Sequence, residues 1–560
     1  MRQVNVFVLV LAAMLAAGCA PGSTTSGDNQ SVPGAVDQNR TLVVAVRGEP
    51  SGLSDKEFIE SMHLRDTKRF FNAWLTLTDA QGQNSPYLAE ALPRLNTDTW
   101  RVLPDGRMET TYRLKPNLTW HDGAPLTADD FVFAGQVYQT TDLGFATTAP
   151  QQQMAEVTAL DPRTVLITWN VLYPDAGTLS IGFEPLPRHI LGTRFLELAP
   201  QAFVALPFWS REYVGLGPYC VDSWEPGAFV SGVAFDGHVL GRPKIGRLQV
   251  RFIPDTNAVV ANLLAGAVNV SMDTSIGFAN GATLEHEWAG TTRGSVLFTP
   301  STMRWMQVQF RPELVNPKGL LDVRVRKALL QSLDRKALGD AMYDGQGKPL
   351  DAMVYPFDPW FPAVDRVITK YSFDLRQSEQ LMADAGYKKD SDGTYANQAD
   401  GRFVSELRIS GGDENEREIA ILAEAFRRAG FGTTEYPYPV TLTRDGEFRA
   451  TFPGLLENPA GGGVASLISS MIPTAANRWT GSNRGGWSNP ELDRFYDQFL
   501  TTLDADARNQ EMAQAMKIST EQLPVLPIQY SFAVVAYTTG LRGPQSANSA
   551  NWNIHQWEWT

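Results

Sequence analysis

The residues that could do covalent chemistry are few and scattered. Six histidines are spread through 560 residues. His121, beside Asp122, comes nearest to a proton relay, but it lies in a His121-Asp122-Gly123 turn, where hydrogen bonding to backbone is the competing use. With 61 acidic residues, carboxylate pairs that could serve a glycosidase are unavoidable and carry no signal. H-E-x-x-H, G-x-S-x-G, a Walker loop and a cysteine pair at metal spacing are all missing. Gly215 and Gly217 lack the third glycine and the following helix that would cradle phosphate. Non-covalent chemistry remains. Arg478-Trp479 and Arg484-Gly485-Gly486-Trp487 set aromatic rings beside arginine and glycine, a surface on which a ligand can stack. The alternative for each tryptophan is packing on its own lobe.

The elements that must position these residues are legible from periodicity. Met108, Thr110, Tyr112 and Leu114 alternate with polar residues, which predicts a strand. Thr127 with Asp130 predicts a capped helix start, and Phe131, Ala134, Val137 and Tyr138 stripe that helix. Trp305, Gln307 and Gln309 alternate with Met306, Val308 and Phe310 in a strand. Asp322 is placed to cap a helix with Val325, Ala328, Leu329 and Leu333 inward. Phe403, Ser405, Leu407 and Ile409 predict a strand, followed by a helix striped by Ile419, Leu422, Ala423 and Phe426 and closed by Gly430. Asn489-Pro490 opens a later helix, another runs from about 506 to 522, and a strand covers 525–538.

Length bounds the architecture: 560 residues exceed one ordinary core, so two or three lobes are expected. Hydrophobic content of 43% and charged content of 19% describe a globular chain. A net charge of −13 argues against nucleic acid as a partner. The apolar run from Val6 to Ala17 is shorter than the ~20 residues a spanning helix needs and suits a signal peptide. It ends in Leu15-Ala16-Ala17-Gly18-Cys19, which resembles a bacterial lipobox with Cys19 as the lipidated first mature residue. Residues 20–39, rich in Gly, Ser, Thr, Pro, Asn and Gln, read as a flexible tether. Cys220 is then unpaired and is expected as a small buried apolar residue.

The particular words are more specific than the periodicity. The run from Tyr112 to Phe133, YRLKPNLTWHDGAPLTADDFVF, resembles the signature of the family 5 extracellular solute-binding proteins, with Lys115 in place of an arginine and Phe131 in place of a valine. Further words follow in the family's order: Gly215-Leu216-Gly217-Pro218-Tyr219, Asp322-Val323-Arg324-Val325-Arg326, and Asn489-Pro490-Glu491. Asn269 stands where the family usually has aspartate. The resemblance covers the chain from about Thr41 onward.

It implies a mixed α/β fold of two lobes, like the type II periplasmic binding proteins, with a smaller inserted lobe. The boundaries read as a leader over 1–18, a tether over 19–40, lobe I from 41–85, 214–302 and 523–560, a mostly β inserted lobe over 86–213, and lobe II over 303–522. The resemblance also implies function: a lipid-anchored, extracytoplasmic, monomeric receptor of an ABC importer. Such a receptor closes on a peptide-like or other oligomeric solute and docks on permease subunits, with no cofactor, no metal and no catalysis. A sensor of the same fold and a secreted hydrolase are the rival readings.

In peptide-binding members an aspartate of the second lobe holds the ligand's ammonium group. The matching stretch here, residues 452–463, has no aspartate, and Glu457 beside Asn458 is its acidic residue. The expected ligand-binding set is therefore Glu49, Trp305, Glu457, Asn458, Arg478, Trp479 and Trp487.

Overall fold

The computed structural model describes residues 40–54, 65–143, 149–180, 182–460, 463–547 and 549–560. The expected leader, most of the tether and Cys19 lie outside them. One eleven-stranded sheet organises the rest. In chain order its strands are β1 (Thr41–Val46), β2 (Tyr219–Glu225), β3 (Phe229–Ala234), β4 (Arg247–Phe252), β5 (Val270–Ser271), β6 (Gly294–Val308), β7 (Lys348–Pro349), β8 (Val404–Ser410), β9 (Gly432–Tyr438), β10 (Leu455–Ala460) and β11 (Val525–Thr538). Their spatial order is β9-β8-β10-β6-β11-β5-β1-β4-β3-β2, and β7 pairs with β11.

β6 and β11, of 15 and 14 residues, run through both halves of this sheet. The first half of β6 pairs with the last half of β11 beside β5, and the second half of β6 lies between β10 and the first half of β11. Register shifts between Pro300 and Thr302, and between Arg304 and Trp305, interrupt the ladder at its middle. An irregularity of this kind bends a strand locally. The expected boundary at 522/523 therefore meets a strand that serves both lobes: residues 525–530 pair within the second one.

Two large apolar cores flank this crossing. The first joins β1 and β4 with the four-stranded sheet of Trp100–Val102, Met108–Arg113, Thr164–Trp169 and Met154–Asp161, so the inserted β region shares one continuous core with the first lobe. The helix α1 (Ala128–Gln139) packs on that small sheet. Its Asp130 carboxylate accepts the N–H groups of Thr127 at 2.9 Å and Arg188 at 3.0 Å, closing the capping box and pinning the start of the helix Arg188–Glu197. The second lobe has two adjoining clusters. One lies under α4 (Asp413–Ala429), and the other lies between α5 (Pro490–Thr501) and α6 (Ala505–Gln522). The helices α2 (Phe278–Trp288) and α3 (Arg335–Met342) meet near the crossing, where Phe278 and Tyr343 pack edge to face at 5.0 Å.

Gly217 is where the chain needs the absence of a side chain: a Cβ there would lie 2.3 Å from Asn72 N. His121 holds this segment. Gly215 N–H donates to His121 Nδ1 at 3.1 Å, and Nε2 donates to the Gly217 carbonyl at 3.0 Å. Burial lowers the His121 pKa to about 4, so the ring is neutral. The residue that came nearest to a relay is a backbone clamp. Cys220 is half-buried in β2 rather than fully enclosed, with its thiol pushed up to about 11 by burial.

Candidate functional site

The sheet's register locates a cleft. In the first lobe β1 runs parallel to β4 and β5, with carboxyl ends at Val46, Phe252 and Ser271. In the second lobe β8 runs parallel to β9 and β10, with carboxyl ends at Ser410, Tyr438 and Ala460. Ala460 lies opposite Met303 on β6, and Val270 opposite Tyr537 on β11. Both pairings are antiparallel, so continuing β10 leads toward residue 302 and continuing β5 leads down β11 toward 531. The two sets of carboxyl ends thus converge on the middle of β6 and β11. The region outside such strand ends is where open α/β sheets bind ligands.

A buried charge cluster stands at that crossing. Arg304 of β6 donates from Nη2 to Glu457 Oε1 of β10 at 3.1 Å and to Asn415 Oδ1 at 2.8 Å, and from Nε to Glu418 of α4. Gln529 of β11 donates to Glu418 Oε1 at 2.7 Å. Arg304, Glu418 and Glu457 are all at most 3% exposed. One guanidinium faces two buried carboxylates, with the exposed Glu414 3.8 Å away, so the buried two cannot be equivalent. Burial opposes ionisation of Glu418, but Arg304 wins and lowers its pKa. Burial and the charge of Glu418 raise Glu457 well above the usual carboxylate range. Among the described residues Glu457 Oε2 has no hydrogen-bond partner.

The expected ligand residues are therefore not one constellation. Glu457 is committed inward to Arg304, not held open for a ligand's ammonium group. Glu49 is exposed, and its carboxylate accepts Trp224 Nε1–H at 2.7 Å and Gly227 N–H at 2.8 Å, fastening the β2–β3 turn. Trp305 and Trp487 belong to the same core cluster, fully buried and 6% exposed respectively, which leaves neither as an open stacking wall. The reason for Trp487 is local. Gly485 packs so closely that a Cβ would lie 2.1 Å from the Val308 carbonyl, and Asn483 donates to the Trp487 carbonyl at 2.7 Å. Asn458 lies beside Trp305 in the β6–β10 ladder, at the cleft end of β10. Arg478 is exposed and Trp479 half-buried, on consecutive left-handed residues with φ of 56° and 60°. The Trp479 carbonyl abuts Gly446, in the segment that follows β9.

The cleft has an aromatic feature that periodicity did not pick out. Tyr355 and Phe357 stack with centroids 4.9 Å apart and planes 8° from parallel, and both are half-buried. The Tyr355 hydroxyl donates to the Ser301 carbonyl at 2.9 Å, which fixes the pair at the bend of β6. Asp358 Oδ2 accepts Tyr355 N–H at 2.7 Å, and burial raises this carboxyl to about 6. The available signal was the run Tyr355-Pro356-Phe357-Asp358-Pro359-Trp360, aromatic residues alternating with prolines. Among the described residues no cluster of three or more His, Cys, Asp or Glu could hold a metal ion, and no helix is long and apolar enough to cross a membrane.

Comparison with known proteins agrees with this geometry. The family described as bacterial extracellular solute-binding proteins, family 5 (its middle part), matches residues 90–461. The oligopeptide-binding protein AppA of Bacillus subtilis is 26% identical over 424 residues, 74% of this chain and 72% of that protein. Heme-binding protein A of Haemophilus influenzae is 23% identical over 568 aligned positions, 97% of this chain and 96% of that one. The same fold is seen in the substrate-binding protein CtaP of Listeria monocytogenes, with a TM-score of 0.76, 20% identity and 93% and 99% coverage of the two chains. It recurs in the oligopeptide binding protein of Thermus thermophilus in complex with a pentapeptide, with a TM-score of 0.70, 23% identity and 93% and 96% coverage.

Proposed function

This chain belongs to the bacterial extracellular solute-binding proteins of family 5, and from that membership we propose that it is the receptor of an ABC importer. In this reading it closes two lobes around a peptide-like or other oligomeric solute and delivers it to a membrane permease. The observation that carries the reading is the convergence of two sets of strand carboxyl ends on one gap bridged by β6 and β11. Peptide as the solute class is supported by the relatives named for oligopeptide binding. The cleft end of β10 from Asn458 and the Tyr355–Phe357 stack form the ligand surface, with Arg478 and Trp479 at its rim. Capture and release are the whole activity, without turnover. Cys19 carries the lipid that tethers the folded part through residues 20–40, outside the cytoplasm.

Native mass spectrometry of the chain purified from its own cells tests this. The expected result is one retained solute per chain, released intact on unfolding. A chain that retains nothing and converts candidate peptides to fragments is a hydrolase, and the receptor reading fails. Anchoring is tested separately: Cys19→Ala should move the protein from washed membranes to the soluble fraction, and a variant that stays membrane-bound removes the lipid tether.

A further inference from the structure

Away from the β6–β11 crossing, the two lobes are joined by an ion pair. Arg508, near the start of α6, donates from Nη1 and Nη2 to the two carboxylate oxygens of Asp175 at 2.7 and 3.0 Å. Asp175 belongs to the short helix Pro174–Gly177 of the inserted region, whose Ala176 is part of the first core. Arg508 belongs to the second lobe. Its guanidinium lies 4.4 Å from the Phe499 ring centroid, and its Nε donates to the Phe499 carbonyl at 3.1 Å. Leu503, in the turn between α5 and α6, packs against the first core from the same side. On the same margin a Cβ at Gly82, in the turn between Thr76–Thr78 and Asn84–Pro86, would lie 3.4 Å from the Phe357 carbonyl.

We propose that Arg508 and Asp175 form a latch between the inserted region and the second lobe that holds the cleft closed. Several observations fit that role. The pair is bidentate, so it specifies an orientation as well as a distance. Arg508 is pre-positioned by its own lobe: the Phe499 ring and carbonyl hold the guanidinium whether or not Asp175 is present. The inserted region shares its core with the first lobe, so gripping Asp175 grips that whole lobe. Asp175 is about half exposed and Arg508 15% exposed, so separation returns both to water at modest cost and the latch can open. The inference rests on the bend of β6 and β11 acting as a hinge. A ligand that binds the closed form would find it more populated with the latch than without it.

The test needs no ligand. Small-angle scattering of the purified chain, stripped of solute, compares the unaltered protein with Asp175→Asn, Arg508→Gln, the double variant, and the exchanged pair Asp175→Arg with Arg508→Asp. The expected result is a larger radius of gyration for each single variant, no further increase in the double, and partial return in the exchanged pair. High salt should enlarge the unaltered protein toward the single variants and leave those unchanged. Asp175→Asn is nearly isosteric at a half-exposed site and should fold normally. If its scattering curve and salt response match those of the unaltered protein, the latch is overturned, whatever solute the cleft takes. Equal enlargement by the ligand-surface variant Phe357→Ala, which leaves the ion pair intact, would also overturn it.

Discussion

Arg304 and Glu457 meet at 3.1 Å across neighbouring strands, and the same guanidinium is held by Glu418 on a helix. Burial and Glu418 both raise the Glu457 pKa, while Arg304 lowers that of Glu418 against its burial, so Glu418 is the carboxylate that ionises more readily. Glu457→Gln removes the carboxyl that ionises less readily, keeps its shape and should cost less stability than loss of Arg304. Arg304→Met strands an ionised Glu418 in the interior and should cost about 3–5 kcal/mol. Urea unfolding at pH 7 separates the two, and equal losses would refute the assignment of the charge.

Asp273 makes stability depend on pH. Burial and the neighbouring charge of Asp66 raise it to about 8, against the pull of the Asp66 N–H, Thr67 N–H and Thr67 hydroxyl donors at 2.9, 3.0 and 2.6 Å. The native state therefore binds a proton that the unfolded chain, with a pKa of about 4, has already released. The contribution is complete below pH ~4 and is lost as pH rises through about 8. Between pH 5 and 8 the unaltered protein should lose stability through this group. Asp273→Asn cannot titrate and should show a shallower decline. Parallel unfolding curves for the two proteins across that range would dismiss the effect.

The burial of Trp487 predicts a role in stability. Its side chain fills the cluster around Phe310 and Leu492, and truncation leaves a cavity that the Gly485–Val308 contact prevents the loop from filling. Trp487→Ala should lower unfolding free energy by about 3–5 kcal/mol. Trp479→Ala, at a half-buried position, should cost distinctly less. Thermal unfolding of the pair checks this, and a near-neutral Trp487→Ala would return that ring to the set of ligand contacts.

Local signals account for what could be read in advance. The α4 stripe of Ile419, Leu422, Ala423 and Phe426 is buried as its period requires, as are alternate residues from Phe403 to Ile409. The Thr127–Asp130 cap forms, and Asn489 caps α5. Each depends on residues within about two turns of one another. The charge cluster does not: Arg304 reaches partners 114 and 153 positions away, so the sequence shows Glu457 only as the acidic residue of its stretch. The period of β11 marks a strand but not that its two halves pair in different lobes. Arg484-Gly485-Gly486-Trp487 reads in sequence as a surface on which a ligand can stack. The absence of a side chain at Gly485 instead allows the backbone to press against β6.

The Tyr355–Phe357 stack yields a prediction about binding itself. The two rings are half-buried and nearly parallel at 4.9 Å, and Tyr355 is tied to the bend of β6 through Ser301. If β6 is the hinge, as proposed above, a ligand group laid on Phe357 is coupled to it through Tyr355 and Ser301. Phe357→Ala removes the outer ring and leaves the Tyr355–Ser301 hydrogen bond in place. It should keep the unfolding transition within about 1 kcal/mol of the unaltered protein, since the ring is only half-buried. It should also weaken capture of the solute by tenfold or more, the ~1.4 kcal/mol per decade expected for loss of an aromatic anchor. Native mass spectrometry of the variant isolated from the same cells reads this directly as the fraction of chains retaining solute. If retention is undiminished while Trp479→Ala abolishes it, the ligand lies on the rim beside Gly446 and not against the hinge, and the stack is packing alone.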